Sequence, residues 1–470
     1  MNYSLLAPEI LTAVVGLLVL AMGLFKAGRA QRIVGPVSLL AMLVILAVVV
    51  VRFTQTEVFF SGVYQVDAYA NFFKALFLVA AILVILSSGQ YLERLGEKKS
   101  EFYALMIFAT LGMMVMAAAG DLLTIYIGLE LMTISFYILT AYLLNDEASS
   151  EAGLKYLILG AISSAVLLFG MSLVFALSGT TVISEIAGQI SRQPALIAGI
   201  ILMIAGFGFK IAAVPFHMWA PDIYQGAPIP ITTYLTVGSK AAGFAALVRV
   251  FMIAFPLSQF NWSLVLAILA ALTIVVGNLI ALPQTNVKRM LAYSSIAQAG
   301  YILVGLVAAN TYGLKGVLFY AMLYVFSNTG AFAVATAVEV DTGSTERDAF
   351  GSLSERSPML AAVMMVCLLS LAGIPPLAGF AGKFYLFSGA IQAGYLWLAF
   401  IGLIMSMVSV YYYLLVAKAM YIGTSENDCA MEVSTPARLA LWICLLATLF
   451  IGIYPAPLSN LAQVAISLFM

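Results

Sequence analysis

Glu130, Lys210, Lys240 and Lys383 each lie in a stretch that otherwise reads as hydrocarbon: TIYIGLELMTISF, IAGFGFKIAAVPF, YLTVGSKAAGF and LAGFAGKFYLF. A charge in mid-membrane costs several kcal/mol, so four of them need a purpose, and a path for ions or protons is the usual one. A lysine stripped of hydration can exist neutral; an approaching carboxylate holds its proton, and withdrawal of that carboxylate releases it. A line of such groups can pass protons by exchanging partners, with no redox centre in the chain. Glu130 is the only carboxylate deep in any predicted span, which makes Lys210 or Lys155 its natural partner. Lys240 follows Thr233, Tyr234 and Thr236, whose hydroxyls suit a hydrated path. Ser294, Ser295, Gln298 and Tyr301, then Tyr324, Ser327 and Asn328, are positioned to extend it. His217, two turns past Lys210, belongs to a residue type that titrates near neutrality, but a helix-end histidine bonded to backbone fits the sequence as well. The competing structural role is that such charges pin helices together or snorkel to an interface. Lys74, beside Asn71 near the outer end of its span, favours snorkelling, and Lys155, near the start of its span, is balanced between the two roles.

The elements that must hold these groups are membrane helices. The chain is 63% hydrophobic and 9% charged, with zero formal net charge, so its solvent is lipid. The absence of a basic stripe or long charge run sets nucleic-acid binding aside. A single histidine excludes bis-histidine haem ligation, and Cys367, Cys429 and Cys444 lack metal-type spacing. The apolar run from Ile10 to Phe25 follows Glu9 and precedes Lys26, Arg29 and Arg32. A secretory signal has the opposite order, so this run is expected to be a retained first helix.

At roughly 20 apolar residues per crossing, the chain divides into about fourteen spans. One set of alternate connections carries Lys26, Arg29, Arg32, Arg94, Lys98, Lys99, Lys288, Arg289, Arg347, Arg356, Lys418 and Arg438. The other carries only Arg52, Arg192, Arg249 and Lys315. The richer side is expected in the cytoplasm, with both termini outside. Two spans contain breakers: the seventh has Pro215 just past Lys210, and the twelfth has Pro375 and Pro376 about two turns before Lys383. In lipid such a break survives only against protein or a wet cavity. A matched pair of broken helices marks an internal repeat and points at a conducting site.

Five segments carry a specific resemblance: GLELMTISFYIL, EAGLKYLILGAISSA, GFGFKIAAVPFHMWAPDIYQGAP, NVKRMLAYSSIAQAGY and SLAGIPPLAGFAGKFYLF. They resemble the antiporter-like membrane subunits of respiratory complex I, the NADH–quinone oxidoreductase, over nearly the whole chain and most of all the subunit N (ND2-like) branch. The resemblance implies an all-α polytopic protein of fourteen helices in a single membrane domain spanning 1–470. Helices one to three would occupy 1–102, a first five-helix repeat 103–253, a second, inverted repeat 262–421, and the last helix 436–470. It implies one proton-translocating unit of a larger bacterial inner-membrane enzyme. By motif, Glu130 takes the place of the fifth-helix glutamate, Lys210 the seventh-helix lysine, Lys240 the eighth-helix lysine, Lys383 the twelfth-helix group and Lys155 the sixth-helix lysine. This chain would hold no cofactor, while NADH, FMN, Fe–S clusters and quinone would belong to partner subunits. Lys383 argues against the subunit M branch, which usually has glutamate there, and the end at Met470 against the longer subunit L. Gln298 departs from relatives with histidine at that position; an amide orders water but cannot titrate. A multi-subunit cation/proton antiporter, or a subunit of a membrane-bound hydrogenase or related quinone oxidoreductase, remains the alternative.

Overall fold

The computed structural model describes residues 2–24, 28–93, 99–190, 193–257, 260–424 and 429–469. Lys26, Arg94, Lys98 and Arg192, used above for orientation, lie outside the described residues, as do the side chains of Arg29 and Arg32. Among the described residues, twelve helices are long and apolar enough to cross a membrane. They begin with α1 (Ala7–Leu24) and α2 (Gly28–Val51), whose outer faces carry exposed leucines and valines. A short antiparallel hairpin, β1 (Glu57–Phe59) and β2 (Tyr64–Val66), leads into α3 (Ala68–Leu92). The expectation of an all-helical chain holds apart from this hairpin, which packs under the end of α4 (Lys99–Ala118) through Tyr64 and Ala119. Next come α5 (Leu122–Thr140), α6 (Glu147–Ser178) and the short α7 (Ile183–Gln189).

The two predicted breaks are present. α8 (Pro194–Lys210) stops at Lys210, and the chain turns through residues 211–218 before α9 (Trp219–Gly226). Likewise α16 and α17, defined below, are separated by residues 373–377. Between the breaks, one span comprises α10 (Ile229–Tyr234), a π-helical turn over Leu235–Ser239 and α11 (Lys240–Ile253). It continues to α12 (Trp262–Ala281), α13 (Val287–Ala308) and α14 (Thr311–Thr342). α15 (Leu353–Arg356) is a single turn before α16 (Pro358–Ala372) and α17 (Ala378–Gln392). α18 (Leu396–Ile422) and α19 (Thr435–Ile453) follow, then α20 (Ala456–Ala465), so the stretch 436–470 expected as one last helix holds two, parted at residues 454–455.

α13 and α14 are buried almost all round and form the axis of the bundle, whereas α1, α2, α6 and α18 present apolar side chains outward. Polar residues therefore have to be accommodated on the central helices, where each needs a protein partner. Close backbone contact helps to place them. A Cβ on Gly112 would stand 2.5 Å from Met132 N, and one on Gly128 would stand 2.8 Å from Gly112 O, so glycine is what lets α4 and α5 touch beside Glu130.

Lys74 does not snorkel. It is fully buried, and its Nζ lies 2.6 Å from Glu9 Oε1, which also accepts the Tyr64 hydroxyl at 2.8 Å. Glu9 is thus a second carboxylate among apolar helices, contrary to the sequence expectation. The neighbouring Arg249 is 0% exposed and grips Asp67 with two bonds of 2.9 and 3.0 Å, tying the end of α11 to the start of α3. Asp67 in turn caps α3 by accepting from Ala70 N.

Candidate proton path

Each buried lysine of the candidate path sits at or beside a helix irregularity and is held by a group from another helix. α8 ends at Lys210, where the helix dipole favours a cation. The carbonyls freed by the break are taken up locally: Gly208 O accepts from Ala213 N, and Phe209 O from Ala212 N and the Trp219 indole. Lys210 Nζ is therefore left to reach across to α5, where it donates to Thr133 Oγ1 at 3.3 Å. Thr133 lies three residues past Glu130, on the same helix face. Lys210 is 3% exposed and Glu130 is half-buried, with Oε1 enclosed and without a protein partner. No direct ion pair joins them among the described residues. Thr133, one turn from Glu130 on α5, is the residue of that helix that Lys210 bonds.

Lys155 is not the partner of Glu130. Its Nζ pairs with Glu151 at 2.5 Å and Asp222 at 3.6 Å, and its side chain is 44% exposed. It lines a polar mouth of about 350 Å³ with Asp222, Gln225 and Arg289, where the start of α6 meets the end of α9. The reason is register: Lys155 stands four residues from Glu151 on the rim of α6, whereas its neighbour Tyr156 takes the inward position. His217 is buried inside the first break, where its carbonyl accepts from Ala220 N, and no hydrogen bond joins it to the four buried ionisable groups.

Lys240 follows the π-helical turn at once, a distortion that recurs at functional sites. Its Nζ donates to Ser295 O at 2.8 Å and Ser295 Oγ at 2.7 Å. The nearby hydroxyls of its own span are engaged elsewhere. Thr233 donates to Ile229 O, Thr236 to Thr233 O, and Tyr234 pairs with Thr110 at 2.6 Å. The contacts of the Lys240 ammonium therefore run to α13 rather than along its own helix. A cavity of about 10 Å³, enough for a single water, lies between Lys240, Ser295, Gln298 and Tyr324.

One turn beyond Ser295, Gln298 donates to Leu371 O at 3.1 Å and accepts from Tyr320 at 2.6 Å. Leu371 O also accepts from Lys383 Nζ at 2.9 Å. Lys383 further donates to Ala372 O at 3.1 Å and Ser406 Oγ at 2.7 Å, and sits 4.4 Å from the centre of the Tyr301 ring. These carbonyls are available because α16 stops at Gly373 (φ 86°), leaving its last oxygens without helical donors. The second break thus builds a cation site from backbone oxygen, and one carbonyl links the Lys240 side of the bundle to Lys383.

Sequence reasoning named Lys210, Lys240, Lys383, Ser295 and Gln298, and the structure places the last four in one chain of contacts, with Lys210 bonded to Thr133 instead. It missed Thr133, which the three-residue offset from Glu130 could have revealed. It also missed Ser406 and Tyr413, which α18 brings to the centre; Tyr413 bonds both Ser294 and Gln298. No cluster of metal-ligating side chains occurs among the described residues.

Comparison with known proteins identifies the family of the chain. The family model described as NADH:quinone oxidoreductase/Mrp antiporter, transmembrane, matches residues 119–409. The chain is 54% identical to NADH-quinone oxidoreductase subunit N of Heliobacterium modesticaldum, over 99% of both chains. It is similar to a chain of respiratory complex I from Thermus thermophilus, with a TM-score of 0.84 and 32% identity over 97% of this chain and 99% of that one. It also shares the fold of a chain of the Mrp complex from Dietzia sp. DQ12-45-1b, with a TM-score of 0.88 and 19% identity over 100% and 98% of the two chains. The chain therefore belongs to the subunit N family of NADH-quinone oxidoreductases, the antiporter-like membrane subunits of complex I.

Proposed function

We propose that this chain moves protons across the bacterial inner membrane through Glu130, Lys210, Lys240 and Lys383, driven by quinone reduction in partner subunits. The observation that carries this is the polar bridge through the centre of an apolar bundle: Lys240 to Ser295, Gln298 one turn on, then Leu371 O shared with Lys383. Such a bridge is costly in lipid and has no value for packing that aliphatic side chains would not supply. Lys155 and His217 stand outside the relay; Lys155 belongs to the polar mouth. Gln298 cannot titrate, so transfer between Lys240 and Lys383 runs over water, with the amide as its anchor.

In this reading the chain crosses the membrane fourteen times, by twelve continuous spans and two broken ones, α8–α9 and α16–α17. Residues 103–253 and 262–421 form the two inverted repeats. Each contributes one broken helix with a lysine at or near the carbonyl end of its first half. Both termini lie outside, and the mouth at Lys155 opens to the cytoplasm. NADH, FMN, Fe–S clusters and quinone are handled by the peripheral arm and the quinone-site subunits, a division that membership of the subunit N family supports.

The test is membrane potential and quinone reduction measured on the same vesicles with fully assembled complex. Lys240→Met and Gln298→Leu should each lower potential formation at equal complex content. Normal pumping with Lys240→Met would remove the central lysine from the path. Gentle purification separates the alternative: recovery without Fe–S and flavin subunits would favour a cation/proton antiporter.

A further inference from the structure

A phenol buried without a hydrogen-bond partner is destabilising relative to one that is satisfied, and phenylalanine would fill the same space without that cost. Three such phenols cluster between Glu130 and Lys240: the hydroxyls of Tyr137, Tyr224 and Tyr324 are all buried and have no protein partner. They come from α5, α9 and α14, with Tyr156 of α6 between the first two. Tyr137 lies two turns past Glu130 on the same face of α5, about 10 Å along the axis. Its hydroxyl seats over Gly160 so closely that a Cβ there would stand 2.0 Å from it. The Tyr137 ring meets Tyr156 edge-on at 4.8 Å, and Tyr156 stacks on Trp219 at 5.0 Å. Trp219 meets Tyr224 at 5.6 Å, and the Tyr224 ring lies 5.6 Å from Lys240 Nζ. Tyr324 closes the series, since it walls the small cavity that also contains Lys240 and Ser295.

We infer that these four tyrosines form a second proton route from Glu130 to Lys240, a file of phenol hydroxyls bridged by water that bypasses Lys210. A phenol hydroxyl both donates and accepts, so it can take a proton on its lone pair while passing its own onward. Each tyrosine ends neutral, no bond to carbon changes and no electron moves; the hydroxyl then rotates to reset. Satisfying a buried orphan hydroxyl is the ordinary role of an internal water, and three such hydroxyls in series give that water a direction. Trp219 takes no proton: its indole is tied to Phe209 O at 2.9 Å, and it serves as the rigid spacer between Tyr156 and Tyr224. The polar mouth opens above the middle of the file. Lys155 in its wall is the chain neighbour of Tyr156, and Asp222 and Gln225 flank Tyr224.

The inference rests on Glu130 and Lys240 being relay groups, and its test separates the two ideas. Potential formation is measured in vesicles with assembled complex carrying Tyr224→Phe, Lys210→Met, or both, with Lys240→Met alongside. With two parallel routes of comparable weight, each single variant should leave about half of the wild-type rate, and the pair should fall well below the product of the two. A double variant at or above that product overturns the second route, as does a Tyr224→Phe complex that pumps fully. A Lys240→Met complex that pumps fully would instead overturn the underlying relay. Gly160→Ala, which displaces the Tyr137 hydroxyl without touching a titratable group, should mimic Tyr137→Phe and add nothing to it; a further loss in the Tyr137→Phe background would assign Gly160 to packing and remove Tyr137 from the file.

Discussion

Lys383→Met should abolish most pumping while leaving the complex assembled, and the structure gives the reason for both halves. The ammonium makes three hydrogen bonds, to Leu371 O, Ala372 O and Ser406 Oγ, and one contact with the Tyr301 ring. Bonds to a charged donor are worth about 1.5–3 kcal/mol each, and a desolvated cation–π contact about 2 kcal/mol. Against this stands the burial of the ammonium, a penalty of several kcal/mol that methionine does not incur. Removing the amine leaves no orphan: Leu371 O keeps the Gln298 amide at 3.1 Å, and Ala372 O keeps the Ser406 hydroxyl at 2.7 Å. The terms oppose each other and no buried group is orphaned, so the net change in thermal stability should be much smaller than the bonds alone suggest. Pumping has no such compensation. Carrying a charge outward against the membrane potential costs about 2.3 kcal/mol per 100 mV, which requires a group that gives up its proton under a nearby charge. Methionine cannot, whereas Lys383→Glu should keep part of the activity, because a protonated carboxyl still has one O–H to donate to one of these carbonyls and can give up that proton. The assay is potential formation and quinone reduction on one vesicle preparation, with assembly followed on native gels and by thermal unfolding. Failure of Lys383→Met to assemble would make the lysine structural, and wild-type values for both rates would remove it from the path.

Glu130→Ala and Lys210→Ala should each impair pumping in assembled complex, with Glu130→Asp milder because it keeps the charge and loses only reach. Lys210→Arg should also be harmful, since a guanidinium stays protonated; wild-type potential formation with Arg would contradict a releasing role. Glu9→Gln leaves the fully buried Lys74 ammonium without its counter-charge and should destabilise the chain by about 3–5 kcal/mol. Thermal unfolding should register that loss while the surviving complex pumps at a normal specific rate. For topology, with the exposed Cys429 first replaced, a cysteine at position 60 should react with an impermeant reagent from outside intact cells. One at position 344 should react only after the membrane is opened, and the reverse pattern would invert the orientation.

The sequence was sufficient for features that one helix carries by itself. Charges inside apolar runs are visible without neighbours, because any such charge needs a reason in lipid. Prolines disclose both breaks, since the missing donor is a local fact. The partners of those charges come from elsewhere in the chain and were not legible. Lys240 looked served by Thr233 and Thr236 on its own span, yet both hydroxyls bond their own helix backbone and Ser295 of α13 takes the ammonium. Lys383 depends on Ser406, which α18 delivers after a reversal of the chain. Lys74 looked free to snorkel until α1 placed Glu9 against it. Lys155 looked like a partner for Glu130 until the pitch of α6 turned it to the rim with Glu151 and Asp222. The cause is common to all four. A helix apolar on every side carries no stripe to fix its rotation, so side-chain packing against its neighbours decides which polar groups meet. Composition and proline placement thus determined that buried charges and broken helices exist in this protein. Only the tertiary structure decided that a single carbonyl, Leu371 O, would join the Gln298 amide to Lys383.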